Sequence, residues 1–232
     1  MSEPIAGRHR RASRFTLQRF ERWALPRLAR ALPERVVPDH LTALGLFAST
    51  AVAACYVLSN RDPGWLWGAS FFLVVQWYGD SLDGTLARVR RIERPRYGFY
   101  LDHLTDAYST AAIGLGLGLS PYMLLAVGLA NVIAYLVLSI NVYLETHVYG
   151  EFRFGFGWLG PTEARVVLIA LNTLAIVVGP LPFRLFGAPA TVFDLGGLLS
   201  VVAMLALLSA RVHANLRRLS ALEPPRRLGD PK

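Results

Sequence analysis

At 232 residues the chain has room for one sizeable domain. Hydrophobic residues make up 53% of it and charged ones 17%, where soluble domains carry roughly 25% charged residues, and residues 41–59 hold no Asp, Glu, Lys or Arg at all, so a water-soluble globule is excluded. The net charge of +8 does not point to nucleic acid, because every basic residue except Arg61 and Arg184 falls in 1–38, 88–96, 146–165 or 211–232, four blocks that share one side of a membrane if each apolar segment crosses once.

That segregation is the positive-inside pattern, and it places both termini in the cytoplasm. Residues 1–12 read as disordered. From Ser13 to Leu32 apolar residues recur at Leu17, Phe20, Ala24 and Leu28 with arginines between them. This spacing predicts an amphipathic helix, bent at Pro26, on an anionic membrane surface. Six spans follow, at 39–59, 65–90, 98–119, 122–145, 162–181 and 190–213. A run of about 20 residues at ~1.5 Å each crosses a hydrocarbon core of ~30 Å. Pro38-Asp39 opens the first span, with Asp39 as its N-cap. The turn Arg61–Gly64 leads into the second, and Ser120-Pro121 separates the third from the fourth. Phe152–Gly160 is aromatic and glycine-rich, as suits a re-entrant or interfacial loop. Gly179-Pro180-Leu181-Pro182 ends the fifth span. No strand signal is present. Cys55 is the single cysteine and lies in an apolar run, so there is no disulfide framework. The basic lead is too long for a signal peptide, and the first span reads as a permanent helix.

The expected architecture is therefore all-α: a polytopic bundle of six transmembrane helices behind an interfacial helix. Residues 1–38 form a basic arm, 39–218 the transmembrane domain and 219–232 a cytoplasmic tail. Gly114, Gly116 and Gly118 follow no strand, and Gly114 and Gly118 share one helix face, so they predict close helix packing rather than a dinucleotide loop.

Chemistry concentrates in four aspartates, half of the eight in the chain. Asp80 and Asp83 are three apart and Asp102 and Asp106 four apart, so each pair lies on one helix face. The short 91–96 link makes the two helices antiparallel neighbours, and their acidic faces meet. Carboxylates sharing a dry pocket must be neutralised, by protonation or, better, by divalent cations. An all-oxygen set suits Mg²⁺ or Mn²⁺, which bind phosphate oxygens and stabilise a leaving group. A cation pathway through a transporter or channel is the rival reading of the same acids.

The residues between the acids are more specific. Asp80-Ser-Leu-Asp83-Gly84-Thr-Leu-Ala87-Arg88, then Gly98-Phe-Tyr-Leu-Asp102-His-Leu-Thr-Asp106, resembles the signature of the CDP-alcohol phosphotransferase family. Every fixed position of that pattern is present, and the spacer Val89–Tyr97 is one residue longer than the usual eight. Gly84, Ala87 and Gly98 leave room for a nucleotide, and Arg88 can pair with a phosphate. The resemblance implies that Asp80, Asp83, Asp102 and Asp106 hold one or two metal ions, with Asp106 as the base for the acceptor hydroxyl. Pro38-Asp39-His40-Leu41-Thr42 is similar to a segment that opens the first span in the family and suggests a nucleotide contact at Thr42, although Asp39 replaces the usual Asn. His103 and Gly160-Pro161-Thr162-Glu163 resemble the choline/ethanolamine phosphotransferase branch. In that branch a His with a Glu partner deprotonates the acceptor, which would make His103 the base and Glu163 its orienting group. The base stays open between Asp106 and the His103–Glu163 pair.

The implied reaction is direct transfer of a substituted phosphate from a CDP-linked donor to an alcohol or lipid acceptor, near the cytoplasmic face, with release of CMP. The local matches lean to a choline/ethanolamine-type reaction, with phosphatidyl transfer from CDP-diacylglycerol to a small alcohol as the alternative. The resemblance also implies a homodimer in the membrane lipid. No nucleic-acid partner is expected.

Overall fold

The computed structural model describes residues 17–149, 160–185 and 187–223. Within them run α1 (Gln18–Ala31), α2 (Pro38–Leu58), α3 (Trp65–Arg90), α4 (Pro95–Gly118), α5 (Leu125–Tyr149), α6 (Pro161–Val177) and α7 (Val192–Leu222). A short antiparallel hairpin, β1 (Phe183–Leu185) with β2 (Ala188–Ala190), joins α6 to α7. The expectations for residues 1–12 and for the glycine-rich run before Gly160 lie outside the described residues, as does most of the 219–232 tail.

Helices α2 to α7 coincide with the six expected spans, and α1 falls within 13–32 with Pro26 inside it. Among the described residues α2, α5 and α7 are long and apolar enough to cross a membrane. Their outward faces carry Phe47, Ile133, Ile140, Leu144, Leu199 and Val202, all exposed. Such surfaces need lipid rather than water around them, and the chain is an integral membrane protein. Helix α6 is only 17 residues long, and α3 and α4 carry polar residues of the site described below.

Two details correct the sequence reading. The hairpin is a strand pair where none was expected: its strands are three residues long, too short for alternation to register, and Gly187 at φ +85° makes the turn. Asp39 is not an N-cap. Val37 holds that position, Pro38 starts the helix, and the Asp39 carboxylate instead accepts two bonds from Arg94 Nη2 at 2.5 and 2.7 Å.

Two apolar clusters lie at opposite ends of the bundle. Tyr56, Leu66, Leu73, Leu117, Ala175 and Phe193 form one. Ala29, Leu41, Leu82 and Leu86 form the other, covered by Leu25, Leu28 and Leu32 of α1 and its exit. So α1 does not merely rest on a surface; one face of it is packed on α3. Arg90 secures its C-terminal end by donating to the carbonyls of Leu32 and Pro33 at 3.0 and 2.8 Å.

The sequence also predicts α3 and α4 as direct neighbours, and here the fold differs. Both pack chiefly on α2, which lies against α3 along most of its length. Small residues make this possible. A Cβ on Gly79 of α3 would stand 2.6 Å from Leu41 O and 2.7 Å from Gly45 N, and one on Gly116 of α4 2.5 Å from Ala53 Cα. Backbone approach that close admits no side chain. Gly114 and Gly128 make the corresponding contact between α4 and α5, where a Cβ on Gly128 would lie 2.7 Å from Gly114 O. Polar residues tie α6 to α3 and α2: Asn172 Nδ2 donates to Ser70 Oγ at 3.1 Å, and Tyr56 OH donates to Asn172 Oδ1 at 3.2 Å.

Candidate functional site

The interposed helix creates a cleft. Thr42, Gly45 and Leu46 of α2 form its floor, Gln76, Asp80 and Asp83 of α3 one wall, and Thr105 and Ser109 of α4 the other. It opens at the end of the bundle where α1 lies. The i, i+3 and i, i+4 spacings turn the two acid pairs towards each other, as expected. Asp83 lies within Coulombic range of Asp80 and Asp102, and Asp106 within range of all three. The four carboxylates therefore share one site, although α3 and α4 are held apart.

Each acid has its own setting. Asp83 Oδ2 accepts from Thr42 Oγ1 at 2.7 Å and its Oδ1 from Gly84 N at 2.5 Å. Asp80 Oδ2 accepts from Arg165 Nη2 of α6 at 2.5 Å, and Arg165 Nε donates to Gln76 Oε1, also at 2.5 Å. Asp102 is half exposed, its Oδ2 3.6 Å from His103 Nδ1. Ser49 Oγ donates to Ser109 Oγ at 2.8 Å and ties α2 to α4 below the acids.

As the side chains stand, no three His, Cys, Asp or Glu residues among those described converge on a single point. Asp80 is turned to Arg165 and Asp83 to Thr42. The donor chemistry nevertheless suits a hard dication, since four carboxylates lie within electrostatic reach of one another and offer only oxygen ligands. Such a cation would be held by Asp80, Asp83, Asp102 and Asp106.

The signature's small residues sit where space is needed. A Cβ on Gly84 would meet nothing but the Arg88 guanidinium, at 3.4 Å, and one on Gly98 would meet nothing within 4 Å. Arg88 Nη2 donates to Thr85 Oγ1 at 3.0 Å, which leaves its guanidinium over Gly84 beside Ala87.

His103 and Glu163 have separate settings. His103 Nδ1 lies 2.8 Å from Phe99 O, and its ring centroid is 4.9 Å from that of Tyr143 on α5. Glu163 is buried; its Oε2 accepts from Gly160 N at 3.0 Å and its Oε1 from Leu17 N at 2.8 Å. It therefore joins the start of α6 to the start of α1. Glu21 of α1 reinforces the junction, its Oε1 accepting from Thr162 Oγ1 at 2.5 Å and Trp77 Nε1 at 3.3 Å.

Sequence reasoning did not single out Gln76 or Arg165. Gln76 stands one helical turn before Asp80, and that spacing was the only signal available; Arg165, 85 residues from Asp80, had none. Glu145, beyond the cleft on α5, pairs with Arg211 at 2.7 Å and accepts from Asn215 at 2.7 Å, holding α7 to α5.

Comparison with known proteins adds three findings. A family model described as CDP-alcohol phosphatidyltransferase matches residues 35–213. A phosphatidylinositol phosphate synthase from Cutibacterium acnes is 32% identical over 89 residues, 38% of this chain and 40% of that protein, so the match spans well under half of the relative's length. The crystal structure of Mycobacterium tuberculosis phosphatidylinositol phosphate synthase with CDP-DAG bound aligns over 82% of this chain and 92% of that one, with a TM-score of 0.59 and 22% identity. At that identity the likeness speaks for the fold.

Proposed function

The chain belongs to the CDP-alcohol phosphatidyltransferase family, and from that premise we propose that it transfers a phosphatidyl group from CDP-diacylglycerol to the hydroxyl of a small alcohol. It is a membrane transferase of phospholipid biosynthesis. The observation that carries the finer reading is the gathering of Asp80, Asp83, Asp102 and Asp106 within electrostatic reach of one another, beside a cleft lined by Asp80 and Asp83.

In the reaction, the acceptor hydroxyl loses its proton to a carboxylate of the cluster, with Asp106 the acid best placed among the other three. The acceptor oxygen attacks the phosphorus distal to cytidine, the bond from that phosphorus to the oxygen of CMP breaks, and CMP leaves. Divalent cations bound by the four aspartates would grip the diphosphate and offset charge on the leaving phosphate. Gly84, Ala87 and Gly98 leave the nucleotide its space, and Arg88 pairs with phosphate oxygens.

Two considerations move the choice of donor away from the choline/ethanolamine-type reaction. Both similar proteins are phosphatidylinositol phosphate synthases, one of them holding CDP-DAG. Glu163, which the other reading uses to orient His103, spends both oxygens on backbone N–H groups. Inositol phosphate is accordingly the first acceptor to try. The proposal extends to topology: α2 to α7 each cross the bilayer, both termini are cytoplasmic, and the cleft opens near the cytoplasmic face. Residues 1–38 form the basic arm with its interfacial helix, 39–218 the catalytic domain and 219–232 the tail, and two copies pair in the membrane.

The test is CMP release by the purified full chain with Mg²⁺ or Mn²⁺, offered CDP-diacylglycerol, CDP-choline or CDP-ethanolamine against a panel of acceptors. CDP-diacylglycerol is expected to support turnover, and Asp83→Asn to reduce it at least a hundredfold, the order of loss when a positioned transition-state group is removed. Full activity in Asp83→Asn, or turnover with the soluble donors alone, would overturn the reading.

A further inference from the structure

Gln76 is a buried polar side chain in the middle of a membrane helix, 3% exposed. Burying an amide in such a place is costly unless it has a partner. Its Oε1 accepts from Arg165 Nε at 2.5 Å, and the same guanidinium reaches Asp80 Oδ2 through Nη2, also at 2.5 Å. Two hydrogen bonds from separate nitrogens of one planar group fix its position and its tilt. With Nε held on Gln76, Arg165 bonds a single oxygen of Asp80, Oδ2, through Nη2. Neither residue belongs to the acidic signature, and the two are 89 residues apart in sequence.

The geometry points to Gln76 as a positioning residue that acts through Arg165 to orient the Asp80 carboxylate for a divalent cation. Without Gln76 the guanidinium loses one anchor and settles further into the carboxylate cluster, where it competes with the cation for both oxygens of Asp80. The inference rests on the metal-ligand reading of Asp80, and deepens it by naming what sets the ligand's orientation. Outer-shell partners of this kind change metal affinity by about 10- to 100-fold when removed.

The experiment is Mn²⁺ binding to the purified full chain, followed by electron paramagnetic resonance of the free ion, so that turnover is not the readout. Gln76→Leu keeps volume and removes the acceptor; it is expected to weaken Mn²⁺ binding about tenfold. In an Arg165→Gln background the same substitution is expected to change binding by less than about twofold, since a residue acting through another has nothing left to act on. Gln76→Met, equally long and without an acceptor, replaces Gln76→Leu if the latter is not monodisperse. Unchanged affinity in Gln76→Leu, or equal weakening in both backgrounds, would sink the inference while leaving the metal cluster intact. Mn²⁺ binding that is unaffected by Asp80→Asn and Asp83→Asn would instead remove the metal reading, and the positioning role with it.

Discussion

At the scale of single residues, the clearest distinction is between acids that face the cleft and acids that hold the fold. Asp194 and Glu163 are both buried and both sit in the first turn of a helix. Asp194 accepts from Thr191 N at 2.8 Å and Leu124 N at 2.7 Å, which caps α7 and ties it to the start of α5. Glu163 does the same between α6 and α1. Each thereby satisfies helix-start N–H groups that would otherwise be orphaned. The expected outcome for Glu163→Gln follows from this geometry. An amide retains one acceptor oxygen and loses the other, leaving one N–H without its partner at about 1–3 kcal/mol. Thermal unfolding in detergent should begin several degrees lower, while the acidic limb of the pH–rate profile stays where it is in the parent protein. A displaced limb would mean that Glu163 orients the general base after all.

Between elements, glycine has two separate uses, and one pair of substitutions tells them apart. Gly79 lets α3 touch the backbone of α2, and a methyl there would press on Leu41 O and Gly45 N, neither of which can yield without parting the helices. Gly79→Ala should cost about 1–3 kcal/mol and lower CMP release as well, because the Thr42–Asp83 bond crosses the same interface. Gly98 faces open space. Gly98→Leu should leave the unfolding temperature unchanged or slightly raised, given glycine's poor helix propensity, and should raise the KM for the CDP donor. A stability loss at Gly98, or none at Gly79, would contradict the assignment. The same contrast explains what was legible in the sequence. Long apolar runs between short Pro/Gly/Asp turns mark six helices, and the spacing of the acids on α3 and α4 marks the site, because both signals are local. The wedge of α2 between α3 and α4 rests on Gly45, Gly79 and Gly116 meeting backbone far away in sequence, and no local pattern encodes a partner. Gln76 and Arg165 escaped for the same reason. Asp39 was misread because its type suits a cap, whereas Pro38 already begins the helix and Arg94 claims the carboxylate.

For the whole molecule, charge and catalysis share an end. The turn at Arg61–Gly64, Ser120 and the hairpin carrying Arg184 lie at one end of the bundle; α1, the 91–96 link and the mouth of the acidic cleft lie at the other. Among the described residues, every Lys or Arg except Arg61 and Arg184 lies toward the cleft end, and short loops rich in Lys and Arg stay in the cytoplasm. In the proposed orientation a cytoplasmic mouth would bring the nucleotide half of the proposed donor to the cleft from water, while its acyl chains would remain in lipid alongside exposed Phe47 and Phe71. This orientation is open to a labelling experiment, since Cys55 is the only cysteine and is buried. Arg61→Cys and Ile92→Cys, each made with Cys55→Ala, place single thiols in the turn before α3 and the link after it. Arg61 is exposed and Ile92 is 46% exposed. A membrane-impermeant maleimide added to intact cells should label the thiol at 61 and spare the one at 92, which should react only after permeabilisation. The reverse pattern would put the cleft on the outer face, away from cytoplasmic CDP-linked donors, and would overturn the proposed orientation.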